Sequence, residues 1–374
     1  KMICIIISHT PYYTNNNGVF FGLGPTVEEI DRLSTIFKKI YHFAPLHKGK
    51  PPLPYQPHQN SNIEIISMLP IGGKSFFSKI RHILYFPKHL SKIQLYLNKA
   101  DLIHFRAPTG FGILFLPWLY LFWKGNTWIK YAGSWEGKNV PMTYKLQRWM
   151  LLQFSSKFKI SINSSTRNLG DNFFRFINPC FDKKIINENY NLVKTKPFDK
   201  KLNLVFVGRV EEKKGIGQLL RIMKKIGHMD IINSLKIIGE SRQMDFFMNK
   251  ANDVSNKIYF TGSLHKSDIF KIYANSHLII LLSESEGLPK VLMEAGAFGC
   301  VPIVSHFSGI SDVIINKLDG YILKRNDANY DYKDFQKIIS DPKALKKCSD
   351  NIFKKSNNYT YEKYIKGVKS AILS

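Results

Sequence analysis

The sequence predicts two doubly wound α/β domains in tandem, each a parallel sheet with helices on both faces. Three observations carry this. The chain has 374 residues, more than one core sustains, since single cores stop growing near roughly 250–300 residues. Short apolar runs alternate with longer stretches of helical period throughout. That alternation restarts after about residue 200.

The first cycle opens with the apolar run Ile3–Ile7, too short for a signal peptide and followed by Ser8-His9-Thr10, so it reads as a buried first strand. Val27–Tyr41 places Val27, Ile30, Leu33, Ile36, Phe37 and Ile40 at helical spacing. Ile63–Met68, Leu102–Phe105, Trp128–Tyr131 and Lys159–Asn163 are strands, the last after the helical stretch Thr143–Phe154. Phe111–Trp123 is almost wholly apolar but only 13 residues long, with Pro117 inside, so it reads as a core helix and not as a membrane span. The second cycle runs through strand Asn203–Val207, helix Gly217–Ile226, strands Ser234–Ile238 and Ile258–Phe260, and helix Ser267–Tyr273. It continues with strand Leu278–Leu282, helix Val291–Phe298 and strand Val301–Val304. Phe181–Lys200, polar, charged and carrying Pro197, reads as the join. The first domain is therefore expected over 1–182 and the second over 183–358, with a final helix within 359–374. In open parallel sheets ligands bind beyond the carboxyl ends of the strands, so the chemistry belongs in the loops there.

Composition narrows the class. Apolar residues make up 44% and charged residues 22%, which is globular and not disordered. Cys4, Cys180, Cys300 and Cys348 are scattered without CxxC spacing, which argues against a zinc site or disulfide framework and for a reducing compartment. The net charge of +26 implies an anionic partner: nucleic acid, a membrane surface or a phosphorylated substrate. Residues 1–180 hold 22 Lys and Arg against 7 Asp and Glu, so the first half is the more basic.

Two motifs carry chemistry. Phe206-Val-Gly208-Arg209-Val-Glu-Glu-Lys-Lys214-Gly215 lies between a strand and a helix. Gly208 lets the chain leave the strand tightly, and Arg209 and Lys214 together would neutralise a diphosphate, with Arg as a fork and Lys as a point charge. Fixed cations there stabilise a leaving group as its charge develops. Lys213 reads as a solvated turn residue. The second motif is Ser283-Glu-Ser-Glu286-Gly287-Leu288-Pro289-Lys290-Val291-Leu-Met-Glu294-Ala295. Glu286 sits in a loop, as a helix cap or as a ligand carboxylate. Glu294 stands in an otherwise apolar helix, where a carboxylate needs a partner. The amides of Leu288 to Val291 form a helix N-terminus, which favours oxyanions and hydroxyls.

The spacing Glu286-x7-Glu294 behind the Gly208-Arg209…Lys214-Gly215 loop resembles the retaining GT-B glycosyltransferases of family 4. The likeness extends through Lys236-Ile-Ile-Gly239-Glu240, Ile258-Tyr-Phe-Thr-Gly262-Ser-Leu264 and Gly299-Cys-Val-Pro302. It is close over about residues 200–325 and loose before them. The resemblance implies a GT-B fold, two Rossmann-like domains facing a cleft, with the C-terminal helix returning toward the first domain. It implies an N-terminal acceptor domain and a C-terminal domain holding a nucleotide-sugar, a UDP-sugar by default. Arg209 and Lys214 would bind the diphosphate and Glu294 the ribose. Glu286, with the amides of Gly287, Leu288, Pro289 (which lacks one) and Lys290 as the nearby backbone, would hold the sugar. The backbone near Leu264 would touch the base. Gly22-Leu-Gly24-Pro25-Thr26 opens a helix and reads as a plain turn or as a second approach to the phosphates through Gly24.

Departures accompany the resemblance. Many family members carry a His in the cleft after an N-terminal strand, where this chain has Lys130-Tyr-Ala132-Gly133-Ser134-Trp135-Glu136. Ser134, Trp135 or Glu136 would then shape the acceptor site. His104 matches a family His at a strand end and reads as structural, and Arg106 beside it would reach the acceptor. Ser308-Gly309-Ile-Ser-Asp312 resembles a family Gly-Gly-x-x-Glu loop. No DxD triplet occurs, so no metal and no cofactor are expected. Retention would proceed by same-face attack, a phosphate oxygen taking the acceptor's proton.

Ser75–Lys92 mixes Phe76, Phe77, Ile80, Leu84 and Phe86 with Lys79, Arg81, Lys88 and Lys92, while Pro87 breaks any single helix. The segment reads as interfacial. The expected placement is cytoplasmic, peripheral on an anionic inner membrane face, serving a glycan or polyprenyl-diphosphate-linked acceptor of surface polysaccharide or glycolipid synthesis. Two rival functions share parts of this pattern. A GT-B sugar-nucleotide epimerase would use the same clamp without an acceptor. A nucleic-acid-binding protein fits the charge alone, but the bases are dispersed and no helix-turn-helix, RNP or zinc pattern is present, so no nucleic-acid partner is expected.

Overall fold

The computed structural model describes residues 1–52, 55–70, 76–133, 135, 140–163, 169–286, 289–323, 325–326, 329–330 and 332–373, with the side chains of 76–80, 82, 325–326 and 329–330 outside that description. The chain divides into two compact units, Lys1–Ile177 with Tyr364–Ser374, and Asn178–Lys363.

In chain order the first unit holds β1 (Ile3–Ile7), β2 (Tyr12–Thr14), β3 (Phe20–Leu23), α1 (Gly24–Ser34), β4 (Lys39–Lys48), β5 (Tyr55–Pro57), β6 (Ile63–Met68), α2 (Phe76–Leu97) and β7 (Leu102–Ala107). It goes on with α3 (Gly112–Phe122), β8 (Asn126–Tyr131), α4 (Met142–Gln153), β9 (Lys159–Ile162) and β10 (Phe173–Arg175). Seven strands form a parallel sheet in the order β10-β9-β8-β7-β1-β4-β6, and β2, β3 and β5 extend it from the far end of β4. β1 reads Ile-Cys-Ile-Ile-Ile because a central parallel strand is covered on both faces.

The two faces differ in their helices. Strand side chains alternate, so Ile103, Phe105 and Ala107 of β7 pack under α2, α3 and α4 with Leu116, Leu119, Met150 and Leu151. Leu102 and Trp128 face the other way, against Ile30 and Leu33 of α1 and against Tyr364, Val368 and Ile372. Those last three come from the C-terminal helix and the turn after it, which therefore complete the first unit's core.

The sequence reading of one helix over Val27–Tyr41 is corrected. α1 stops at Ser34, and Ile40 belongs to β4, which pairs with both β1 and β6. The helical spacing of Ile36, Phe37 and Ile40 arises where a helix end meets a strand. Nor does Pro87 break α2, which runs through it; one carbonyl loses its donor on a helix whose tertiary packing holds it straight enough to continue.

The second unit contains α5 (Lys183–Thr195), β11 (Leu202–Val207), α6 (Ile216–Ile226), β12 (Ile232–Ile238), α7 (Met244–Asn252), β13 (Ile258–Gly262), α8 (Lys266–Asn275) and β14 (Leu278–Leu281). It continues with α9 (Lys290–Gly296), β15 (Val301–Ser305), α10 (Ile310–Val313), β16 (Tyr321–Leu323), α11 (Tyr332–Ile339) and α12 (Pro342–Ser356), before α13 (Tyr361–Ala371). Its six-stranded sheet is wholly parallel, in the order β13-β12-β11-β14-β15-β16. The polar stretch read as a join is mostly α5, which buries Ile186 and Val193 on one side and is charged on the other. α12 starts at a strong cap: Pro342 occupies the first turn and the Asp341 carboxylate accepts from the Ala344 amide at 2.9 Å.

Candidate functional site

The loops leaving β11 and β14 meet at the carboxyl edge of the second sheet. These are neighbouring strands in a doubly wound order, the place where such folds bind ligands. After β11, the Gly208 amide donates to the Ile238 carbonyl at 3.0 Å and the Gly239 amide to the Gly262 carbonyl at 2.9 Å, so three strand ends are tied side by side. The tie is tight: a Cβ on Gly239 would lie 1.8 Å from the Gly208 carbonyl oxygen, at a φ of 141°. The chain then makes a short 3-10 turn, Glu212–Lys214, and enters α6 through Gly215, whose φ is 81°. A Cβ there would fall 2.2 Å from the Leu282 carbonyl oxygen. Both glycines are thus required by backbone approach, and the approach carries Lys214 against the β14 loop.

That loop is held from below. The Ser305 hydroxyl donates to the Ser283 carbonyl at 2.5 Å, and the Glu284 amide donates to the Lys213 carbonyl at 3.0 Å. Lys213, read as a plain turn residue, therefore joins the two loops through its backbone. On this base Lys214 Nζ donates to Glu286 Oε1 at 2.7 Å, and the Ser283 hydroxyl donates to the same oxygen at 2.6 Å. The Lys214 and Glu286 side chains are 20% and 13% exposed, so the pair is sheltered yet reachable. Ser283 is a site member that the sequence reading quoted without a role; its signal was its place at i−3 from Glu286 on the loop.

The other expected residues are placed as follows. Arg209 extends into solvent and pairs with Glu211 at 3.1 Å. Glu294 is half-buried on α9, where its charge and, above all, burial hold the Tyr273 phenol well above its usual range. Pro289 is the buried cap residue of α9 and Lys290 its half-buried first residue. Leu264 is half-buried in the turn between β13 and α8. Gly208 ends β11 as described. Gly24 opens α1 in the first unit, buried, with Pro25 in the first turn. Gly287 and Leu288 lie outside the described residues. Among the described residues no group of three or more His, Cys, Asp or Glu is placed to hold a metal ion.

In the first unit the sequence reading is corrected at three positions. Arg106 does not reach out for a ligand: it donates to both carboxylate oxygens of Glu29, at 2.8 and 3.4 Å. Trp135 packs edge-on to Tyr131 and Phe173 in the core, while Ser134 and Glu136 lie outside the described residues. Phe86, expected to face headgroups, packs inward on Phe111 at 5.4 Å between ring centroids. His104 is structural as expected. It is fully buried, stacks on Trp128 at 3.7 Å, and burial first, then Arg106, keeps it neutral.

Two buried polar systems in this unit were not foreseen. Glu29 accepts from Arg106, from Lys130 at 2.7 Å and from the Tyr364 hydroxyl at 3.0 Å. Strand register explains it, because Arg106 and Lys130 are direct neighbours on β7 and β8. Beside it a chain of contacts runs Ser8–His42 (2.8 Å), His42–Tyr12 (3.2 Å), Tyr12–His58 (2.8 Å) and His58–Asp31 (2.8 Å). A carboxylate accepts, so His58 Nδ1 donates to Asp31. Burial, the largest cause, keeps His42 neutral, so its ring gives one proton and takes one between Tyr12 and Ser8.

With this geometry in place, residues 189–355 match the family model for glycosyl transferases group 1. The second unit of the chain resembles that family. The matched stretch lies within the second unit and contains the Lys214–Glu286 pair of this glycosyltransferase. It is 25% identical over 318 residues to an uncharacterised glycosyltransferase of Haemophilus influenzae, covering 83% of this chain and 85% of that one. It is 24% identical over 159 residues to the capsular polysaccharide biosynthesis glycosyltransferase CapM of Staphylococcus aureus, covering 41% of this chain and 40% of CapM. Its fold is that of Anabaena HepE, solved with UDP and glucose, at a TM-score of 0.70, 12% identity and full coverage of both chains. Among the described residues no helix of this glycosyltransferase is long and apolar enough to cross a membrane.

Proposed function

We propose that this glycosyltransferase is a retaining enzyme that moves a sugar from a nucleoside diphosphate sugar, a UDP-sugar first, to a glycan or polyprenyl-diphosphate-linked acceptor. The observation that carries the proposal is the sheltered Lys214–Glu286 pair at the carboxyl edge of the unit that matches the family. Lys214 is a cation held next to the point where a diphosphate leaves, and Arg209 is a mobile-length fork on the same loop. Their charge stabilises the leaving group more as the glycosidic bond breaks than before. Glu286, held by Ser283, is free to exchange its lysine for hydroxyls of the bound sugar. Glu294 and the backbone at Leu264 take ribose and base, with the amides of Gly287, Leu288 and Lys290 serving the sugar. That unit would take the acceptor.

The chemical step we favour is attack by the acceptor hydroxyl on the face from which the diphosphate departs. The new glycosidic bond forms as the old C–O bond breaks, and the hydroxyl proton passes to a leaving phosphate oxygen. Three features support this reading: a fixed cation, the family match, and the UDP and glucose bound by a protein of the same fold. The role in surface polysaccharide synthesis is supported by the likeness to CapM.

The test is a thermal-shift and turnover panel of UDP-, GDP- and ADP-sugars with wild type, Lys214→Ala and Glu286→Gln. One nucleotide family should raise the wild-type midpoint, and both variants should lose turnover. NMR of the product should give the donor's own anomeric configuration. An inverted product would overturn the same-face step, and variants as active as wild type would overturn the site.

A further inference from the structure

The helices on the two faces of the first sheet differ in a way the core does not require. α2, α3 and α4 cover one face. Together they contain no Asp or Glu, while α2 and α4 carry Lys79, Arg81, Lys88, Lys92, Lys145 and Arg148. On the opposite face α1 alone holds Glu28, Glu29 and Asp31.

Apolar exposure follows the same division. Leu84 and Leu95 on α2, Leu121 and Phe122 on α3, and Met142 and Trp149 on α4 are each more than half exposed. Among the described residues no large apolar side chain of α1 or of α13 is exposed. The pattern is ordered. On α2, Leu84, Lys88, Ser91 and Leu95 form one outward stripe at helical spacing, opposite the buried Ile93 and half-buried Leu90 and Leu97. On α4, Met142, Leu146 and Trp149 form another, opposite Met150 and Leu151. The three helices cover one sheet face, so their outward stripes lie on one side of the first unit. Exposed apolar groups gathered on one side in this way mark an interaction face.

We infer that this α2–α3–α4 face docks on the surface of an anionic lipid bilayer. Charge chooses the occupant. An apolar face fringed by exposed Arg81, Lys88, Lys124 and Lys145, with no carboxylate on its three helices, is the pattern of a segment lying at a headgroup boundary. The cations meet lipid phosphates while Leu, Phe, Met and Trp enter the acyl edge. At the α2 margin the surface opens into a recess of about 280 Å³, where Lys88, His89 and Lys92 face Met68, Leu69 and Pro70. Lys92 Nζ donates there to the Ser67 carbonyl at 2.6 Å and to its hydroxyl at 3.3 Å. The interfacial segment expected at Ser75–Lys92 is thus one part of a broader face, to which Leu95, Leu121, Phe122, Met142 and Trp149 also contribute. The inference stands on the first unit alone and does not rest on the sugar-donor reading.

The test is flotation of the full chain with vesicles of phosphatidylcholine, with and without phosphatidylglycerol. Wild type should float with the anionic vesicles and not with the neutral ones. Met142→Ser/Trp149→Ser and Leu121→Ser/Phe122→Ser should each lower binding by about tenfold or more, with unchanged thermal midpoints. A variant that melts early is replaced by Trp149→Phe. Lipid brominated near the headgroup should then quench wild-type tryptophan emission more than that of the variant. Failure of wild type to float with anionic vesicles overturns the inference. Serine variants that float like wild type also overturn it, because general basicity would then suffice. So does a wild-type dimer, detected by sedimentation, that the serine variants dissolve.

Discussion

Each unit centres a glutamate on a lysine, and the two arrangements serve different ends. In the first unit Glu29 is nearly inaccessible and receives Arg106, Lys130 and Tyr364 from three different elements. In the second, Glu286 receives Lys214 and Ser283 from two loops and keeps some access to solvent. A buried charge that has lost water needs every partner it has, so Glu29 is committed to holding β7, β8, α1 and α13 together. A sheltered pair at a strand edge retains lone pairs and a route for exchange. The same two residue types thus make a fastening in one place and, as we propose, a binding centre in the other, and burial separates the two.

The contrast can be broken first at Glu29. Glu29→Ala leaves Arg106 and Lys130 buried without their carboxylate and should cost about 3–5 kcal/mol of stability, read by chemical denaturation. Lys214→Ala on the same measurement should stay within about 1 kcal/mol. Equal losses would mean that the second pair is also structural. Activity should reverse the order at Lys214. If the pair serves a departing diphosphate, Lys214→Ala should lower kcat by about 10²–10³-fold, the usual cost of removing one group that stabilises developing charge.

Acid sharpens the comparison further. Burial, the largest cause in each case, holds His42 and His104 in the first unit well below the usual histidine range and pulls His277 in the second down to about 4. Below the ordinary pKa of 6.5 the unfolded chain binds protons that these native rings refuse. Their contribution to stability is therefore complete above pH 6.5 and is lost as pH falls, ending near pH 4 for His277. Between pH 6.5 and 5.5 each histidine should cost up to about 1.4 kcal/mol, so hydrogen exchange should report the first unit loosening ahead of the second. The smallest effect is expected at exposed Arg209. Arg209→Ala should raise the donor KM by no more than about fivefold and leave stability unchanged, because its partner Glu211 is a surface contact.

The candidate site was the more legible half. Gly208, Lys214, Gly215, Glu286 and Glu294 lie in one continuous stretch whose strand, loop and helix order can be read locally. The first unit resisted for reasons that particular residues make plain. β4 buries His42 in the middle of its run and carries Pro45, so its apolar pattern is interrupted and its first residues were absorbed into the preceding helix. Amphipathic α5 reads as a linker in the sequence because its buried face is only Ile186 and Val193.

By itself the sequence determined the alternation of strands and helices, the second sheet's loops, and the excess of basic charge. These depend on residues near one another in the chain, where period and turn chemistry are local. Only the tertiary structure decided that Glu29 meets Lys130 101 residues away and Tyr364 335 residues away. It also decided that the C-terminal helix closes the first core, and that three carboxylate-free helices lie on one face. Register and layer are set by packing across the whole sheet, and no local pattern encodes which distant charge a buried carboxylate will find.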